Sequence, residues 1–189
     1  MPALTFPRTV GPITLRPFEP ADFDGFYEYW ARPDVARFVR WRPNDVDEAR
    51  TGLARRVGSR TLDGPGDRIM PAIIDSATGT IAGEVMLYWE EGEHRQGEVG
   101  FALHPEYQGR GFARAGATEM LRIGFDEVGL HRIHGNCDPR NAASAGLLTR
   151  LGLRPEGHLR EANYIKGEWV DSLLFSILEP EWRTGAAHR

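Results

Sequence analysis

The sequence predicts a mixed α/β (α+β) fold in one domain. Three observations carry that expectation. A chain of 189 residues matches the roughly 100–200 residues over which a single hydrophobic core is comfortable. Its apolar residues recur with period 2 in some runs and with helical spacing in others, in the order β-α-α-β-β-β-α-β-α-β-β. No internal repeat or low-complexity tract interrupts the pattern, so the expected domain spans residues 1–189, with a core over about 11–183 and flexible ends.

The first strand is "ITLRPF" at residues 13–18, where apolar and polar residues alternate. A helix follows through "EPADFDGFYEYWARPDVARFV", with a proline near its start and Phe23, Phe26, Tyr27 and Trp30 at helical spacing. "DVDEARTGLARRVGSR" reads as a second, more polar helix. "IMPAIID" and "TIAGEVMLYW" flank "SATG", whose residues suit a hairpin turn, and "GEVGFAL" is the next strand. From about Gly111 to Val128 a helix places Ala113, Ala117, Met120, Leu121, Phe125 and Val128 on one stripe, with Arg114, Glu119 and Arg122 largely off it. "HRIHGNC" is a short strand, "NAASAGLLTRLG" a short helix stopped by Gly152, and "HLREANYIKGEWVDSLLFSIL" two strands joined through Lys166-Gly167.

Composition removes several function classes. A formal net charge of −4 argues against a general nucleic-acid binder, which needs a basic face to displace counterions from phosphates. Cys137 is the sole cysteine, which excludes an intramolecular disulfide framework and a multi-cysteine zinc site and suits a reducing compartment. The start "MPALTFPRTVGP" lacks the basic and apolar regions of a signal peptide, and no run approaches about 18 apolar residues. A cytoplasmic protein with no membrane or nucleic-acid partner is expected. No metal is expected either, because the six His form no H-x-x-x-H pair and His131 and His134 face opposite ways on their strand.

The stretch "HPEYQGRGFARAGATEML" at 104–121 carries the chemistry. Gln108-Gly109-Arg110-Gly111-Phe112-Ala113 lies between a strand and a helix, where backbone N–H groups and the positive helix end can hold a phosphate or pyrophosphate. Glycine lets the anion approach. On local grounds alone, a simple chain turn is the commoner reason for two such glycines. The spacing is not G-x-x-x-x-G-K-[ST], and no G-x-G-x-x-G follows the first strand, so neither a P-loop nor a dinucleotide site is present.

These residues resemble the GNAT superfamily of acyl-CoA N-acyltransferases, whose signature [QR]-x-x-G-x-[GA] opens the helix after the fourth strand. Later runs, "HRIHGNCDPRNAASAGLLTRLGLRPEGHLRE" and "GEWVDSLLFSIL", resemble the branch of RimJ/RimL-type ribosomal-protein N-terminal acetyltransferases. The resemblance covers about residues 11–183. It implies a mostly antiparallel central sheet with a splayed strand pair and flanking helices, acetyl-CoA as co-substrate, and transfer to a primary amine that is a protein N-terminus or a small molecule. It also leaves a homodimer open. The backbone of Gly109 to Ala113, with Gln108, Arg110 and Phe112, would face the pyrophosphate. Val99, Gly100, Phe101, Ala102 and Leu103 would form the splayed strand along the pantetheine, with a bulge aiming one N–H at the thioester carbonyl. Asn141 would reach the pantetheine, and Ser144 would sit near the sulfur.

The catalytic candidates are Glu98 and Ser144. Glu98 begins the splayed strand and is the first choice for accepting the amine proton, directly or through water. Glu84 on the neighbouring strand is its rival and a candidate substrate contact, and solvent is the third option. Many relatives carry a tyrosine acid where this chain has Leu148, which leaves Ser144 as the hydroxyl near the leaving sulfur. Asn141 and Ser144 also suit a purely local role at a helix start. Trp30, Phe38, Trp41 and Tyr164 are candidates for lining the acceptor pocket, with core packing as the competing role. A non-catalytic acyl-CoA-binding module is the alternative function, and a nucleotide switch is disfavoured for want of a Walker-type lysine.

Overall fold

The computed structural model describes residues 4–185, and the outermost ends of the expected domain lie outside the described residues. Among those described, nine strands form one sheet, ordered β1-β2-β4-β5-β6-β7-β9-β8, with β3 pairing β5 off this path. The strands are β1 (Arg8–Val10), β2 (Ile13–Arg16), β3 (Arg68–Ile69), β4 (Ala72–Asp75), β5 (Ile81–Trp89), β6 (Gln96–Leu103), β7 (Arg132–Cys137), β8 (Arg154–Ile165) and β9 (Glu168–Leu178). Helices α1 (Phe23–Trp30), α2 (Pro33–Ala36) and α3 (Val46–Gly58) precede β3, α4 (Phe112–Arg122) follows β6, α5 (Ala142–Arg150) follows β7, and α6 (Glu179–Arg183) follows β9.

Period-2 alternation sends side chains to two cores, one on each face of the sheet. Ile73 and its neighbours Leu15, Val85, Leu87, Val99, Ile133 and Ile177 pack with Ala117, Met120 and Leu121 of α4. Ala72 and Ile74, one residue away on β4, pack instead with Phe26, Tyr29 and Trp30 of α1 and Ala49 and Leu53 of α3. The stripe expected on α4 is thus its buried side. Glu119, expected off the stripe, is buried and bonded to Arg122 and to Arg8 of β1, and Arg8 reaches Glu127 as well.

Five elements depart from the sequence expectation. The helix read through residues 19–39 is two helices, because Pro33 forces Arg32 into extended backbone (φ −75°, ψ 125°) and starts α2 afresh. "IMPAIID" is broken into β3 and β4 at Pro71, which has no N–H to give a ladder. The long helix after β6 becomes a π-helix over Ile123–Val128 and stops at Gly129, whose φ of 77° is left-handed. Strand β1 and the short α6 are absent from the sequence expectation; both are too brief to show a period.

The hairpins follow the turn chemistry. Lys166 (φ 52°) and Gly167 (φ 92°) both take positive φ between β8 and β9, the two-residue turn whose twist suits antiparallel strands. Asp75 Oδ1 accepts from the Ala77 N–H in the β4–β5 turn.

Among the described residues one strand pairing is parallel, and it places the site. Gln96, Gly97 and Glu98 of β6 pair with Arg132, Ile133 and His134 of β7, after which β6 continues to Leu103 with no strand partner on its β7 side among the described residues. The two strands therefore splay apart beyond Glu98. The bulge expected in β6 is absent, since its register with β5 runs unbroken from Gly97 opposite Trp89 to Leu103 opposite Gly83. The free backbone groups of β6 come from the divergence of β7 rather than from an extra residue.

Candidate active site

The turn after β6 has the geometry of an anion cradle. Gly109 (φ 74°) and Gly111 (φ 82°) are left-handed, and Gly111 caps α4 without any side-chain acceptor. The first intrahelical bond joins the Ala115 N–H to Gly111 O, so the N–H groups of Phe112, Ala113 and Arg114 have no acceptor within the helix. A Cβ placed on Gly109 or Gly111 would meet nothing within 4 Å. Space over the turn is open, and a side chain would occupy it. Arg110 takes another course: its Nη2 lies 3.1 Å from buried Asp75 Oδ2, and its guanidinium covers the Tyr107 and Phe112 rings.

This turn floors a cleft of about 560 Å³ that runs into the splay. Phe101, Ala102 and Leu103 of β6 form one wall, Gln108, Gly109, Gly111, Phe112 and Ala113 the floor, and Asn141, Ser144 and Leu147 the opposite wall on α5. Val99, two residues back along β6, is buried in the core beneath. Asn141 caps α5, its Oδ1 accepting from the Ser144 N–H at 3.1 Å, and it faces the cleft as well. The Ser144 hydroxyl faces the cleft with no hydrogen-bond partner among the described residues. Arg114 and Arg150 line the same cleft and pair with no carboxylate among the described residues. Sequence reasoning passes over both, although two arginines near helix ends facing a phosphate-type turn are a readable signal.

A second, smaller cleft of about 120 Å³ opens between the segment after α2, the end of β7 and the β8–β9 hairpin. Phe38 lines both clefts, which therefore border each other at this residue. Asn136 lines the second cleft and donates through Nδ2 to Glu98 Oε1 at 2.8 Å. Glu98 is thereby tied to this side. It belongs to the sheet face that carries Glu84 and Ala102, opposite to buried Val99. His134, beside Glu98 in the parallel ladder, bonds Glu90 at 2.8 Å through Nε2.

The other acceptor candidates lie elsewhere. Glu84 is buried between α1 and α3, where Arg56 grips both its oxygens and Tyr29 OH donates to Oε2 at 3.1 Å. Burial and then the Glu84 charge hold the Tyr29 hydroxyl well above its ordinary pKa. Trp30 is buried and stacks on Trp41 with ring centroids 4.3 Å apart, and neither lines either cleft. Tyr164 is 63% exposed and packs on Trp169, while its neighbours Asn163 and Ile165 face the second cleft. Cys137 lines that cleft half-buried, and burial together with Asp138 pushes its thiol pKa up. A raised pKa keeps it a thiol, the unreactive form. Among the described residues no group of three or more His, Cys, Asp and Glu is placed to hold a metal ion, and no helix is long and apolar enough to cross a membrane.

A mixed sheet opened by one splayed strand, with a glycine turn and helix end at the mouth, defines an acyltransferase architecture. Residues 13–154 match the family model described as "Acetyltransferase (GNAT) domain", and the chain belongs to that family. An uncharacterized N-acetyltransferase, p20, of Bacillus licheniformis is 30% identical over 171 residues, covering 90% of this chain and 94% of the relative. The crystal structure of a GNAT-family acetyltransferase from Bacillus anthracis superposes with a TM-score of 0.82 at 26% identity, covering 93% of this chain and all of that one. The [ribosomal protein uS5]-alanine N-acetyltransferase of Escherichia coli is 32% identical over 87 residues, which is 46% of this chain and 45% of that enzyme.

Proposed function

We propose that this protein moves an acetyl group from acetyl-CoA to a primary amine by direct attack in a ternary complex. The observation that carries the reading is that Phe38 lines two clefts, one floored by the Gly109–Gly111 turn and one lined by Asn136, which bonds Glu98 just outside it. A diphosphate suits the first: free amides, open space over two glycines and the unpaired Arg114 and Arg150 all favour it. The pantetheine arm suits the free edge of β6 from Val99 to Leu103, and Asn141 and Ser144 face it from α5.

The chemistry then needs a neutral amine, a polarised carbonyl and a proton for the departing thiolate. A free N–H on the splayed edge of β6 donates to the carbonyl oxygen as charge develops there, a contact often worth about 100-fold in rate. The amine nitrogen bonds to the carbonyl carbon, the C–S bond breaks, and the nitrogen's proton passes to Glu98 directly or through water. The departing thiolate takes a proton through the Ser144 hydroxyl, which lines the same cleft and is reprotonated from solvent. Holding both substrates in line contributes several kcal/mol more. An α-amine, with a pKa near 8, is about a tenth neutral at pH 7, while a lysine near 10.4 is neutral at only about one part in a few thousand. That favours a protein N-terminus or small amine, in keeping with the resemblance to the RimJ/RimL-type branch and the partial likeness to the uS5-alanine enzyme.

The test is calorimetric titration with acetyl-CoA followed by turnover on a panel of α-amines and small amines. Binding with turnover is the expected result. Binding without turnover on any amine would support the non-catalytic acyl-CoA module, and no binding would overturn both readings.

A further inference from the structure

The second cleft holds cations that make no salt bridge among the described residues, which bears on the acceptor, given the acetyl-transfer reading above. Four basic side chains line it, Arg37, Arg40, Arg140 and Lys166, against three carboxylates, Asp138, Glu168 and Asp171. Every one of those carboxylates is already engaged. Arg140 holds Asp138 and reaches Glu168 at 3.2 Å. Asp171 accepts from His158 Nε2 at 2.7 Å and from the Glu161 N–H at 2.8 Å. The remaining cations pair with no carboxylate among the described residues. Arg40 donates to the Asn163 side-chain oxygen at 2.8 Å, Lys166 to the Ala36 carbonyl, and the Arg37 guanidinium rests over the Phe38 ring.

These three cations come from two elements that face each other across the cleft, the segment after α2 and the tip of the β8–β9 hairpin. Their hydrogen-bond and ring partners are neutral, with Asp138 and Glu48 acting on Arg37 and Lys166 only through space, and a guanidinium keeps donors to spare after one such bond. A polyamine finds no unengaged carboxylate among the residues lining this cleft, since Glu98 beyond Asn136 is taken up by the reacting nitrogen. An amine that also carries an anionic group finds ready partners for that group while its nitrogen lies toward Phe38 and the first cleft.

We infer that the acceptor is an anionic amine, a molecule bearing a carboxylate or similar group close to its reacting primary amine, held by Arg37, Arg40 and Lys166. Two sources share this chemistry, a small amino acid with an extra carboxylate and a peptide whose residues next to the N-terminus are acidic.

The experiment compares kcat/KM for four acceptors with acetyl-CoA: an amino dicarboxylic acid, its amide-capped neutral form, an N-terminal peptide with acidic residues at positions two and three, and the same peptide with glutamines there. Spermidine is a fifth acceptor. An anionic acceptor should exceed its neutral counterpart by about tenfold or more, and whichever pair shows the larger ratio identifies the source. Arg40→Gln and Arg37→Gln should collapse that ratio, Arg40→Lys should keep most of it, and thermal unfolding confirms that each variant is folded. Preference for neutral acceptors or spermidine, or a ratio unmoved in both glutamine variants, would overturn the inference while leaving acetyl transfer standing. Acetylation of no amine at all would overturn both.

Discussion

Gly111 offers the sharpest perturbation of the proposed acetyl-CoA site, because its structural and electrostatic effects can be separated. Its φ of 82° is one that L side chains rarely adopt, so any substitution strains the backbone by roughly 1–2 kcal/mol. A Cβ there touches nothing within 4 Å, so no packing clash is added in the free protein. Asn and Asp tolerate left-handed backbone about equally and have nearly the same shape. They differ in one charge. At a distance of about 6 Å and an effective dielectric of about 40, each negative charge of a bound diphosphate repels the Asp carboxylate by about 1.4 kcal/mol, or tenfold in affinity. Gly111→Asn and Gly111→Asp should therefore lose similar stability, yet Gly111→Asp should bind acetyl-CoA about 10- to 100-fold more weakly than Gly111→Asn. Calorimetric titration measures the affinities, and thermal unfolding the stabilities. Equal affinities of two folded variants would refute the placement of the diphosphate on this turn.

Other predictions address the chemistry and the scaffold. Glu98→Gln should keep fold and acetyl-CoA affinity while lowering kcat by about 100-fold, with partial rescue as pH rises toward the acceptor's own pKa; pH–rate profiles that superimpose after scaling for folded protein would pass the base role to solvent. Cys137→Ala should keep most activity, because burial and Asp138 hold the thiol protonated, and an acetylated Cys137 seen by mass spectrometry would contradict this. Glu84→Gln should cost about 3–5 kcal/mol in urea unfolding by stranding the buried Arg56 charge, and a loss below about 1 kcal/mol would contradict that reading. Glu119 is subject to burial, which raises its pKa, but bonds from Arg122 and Arg8 outweigh it and leave the pKa below its ordinary 4.5. Its contribution is present above pH 4.5 and lost as pH falls through the lower folded value. The Tm of the wild type should accordingly fall more steeply below pH 4.5 than that of Glu119→Gln.

The legible parts of the fold were those where local period and tertiary burial agree. The stripe on α4 and the alternation of β5 and β6 both point to cores that exist, and Lys166-Gly167 announced a turn whose φ values only such residues accept easily. Breaks were harder to read. Pro33 and Pro71 were visible, but whether a proline starts, kinks or ends an element depends on packing that sequence does not display. At the site, the glycine turn, Asn141 and Ser144 could be found because their spacing is short-range. Phe38, Asn136, Arg37 and Lys166 could not be joined, because they reach one cleft from three segments far apart in the chain. Aromatic character was a poor guide to the acceptor side: Trp30 and Trp41 stack around the buried Arg56–Glu84 pair, a role that residue type alone does not separate from pocket lining.

The central claim is direct acetyl transfer where the two clefts meet. It is tested most directly by incubating the protein with acetyl-CoA labelled with a stable isotope in the acetyl group, together with the best acceptor of the amine panel, and following both protein and amine by mass spectrometry. The account predicts labelled acetyl on the amine nitrogen, one free CoA thiol per product, and no labelled protein at any time. Label retained on the protein before it reaches the amine, or CoA released with no labelled amine, would contradict it.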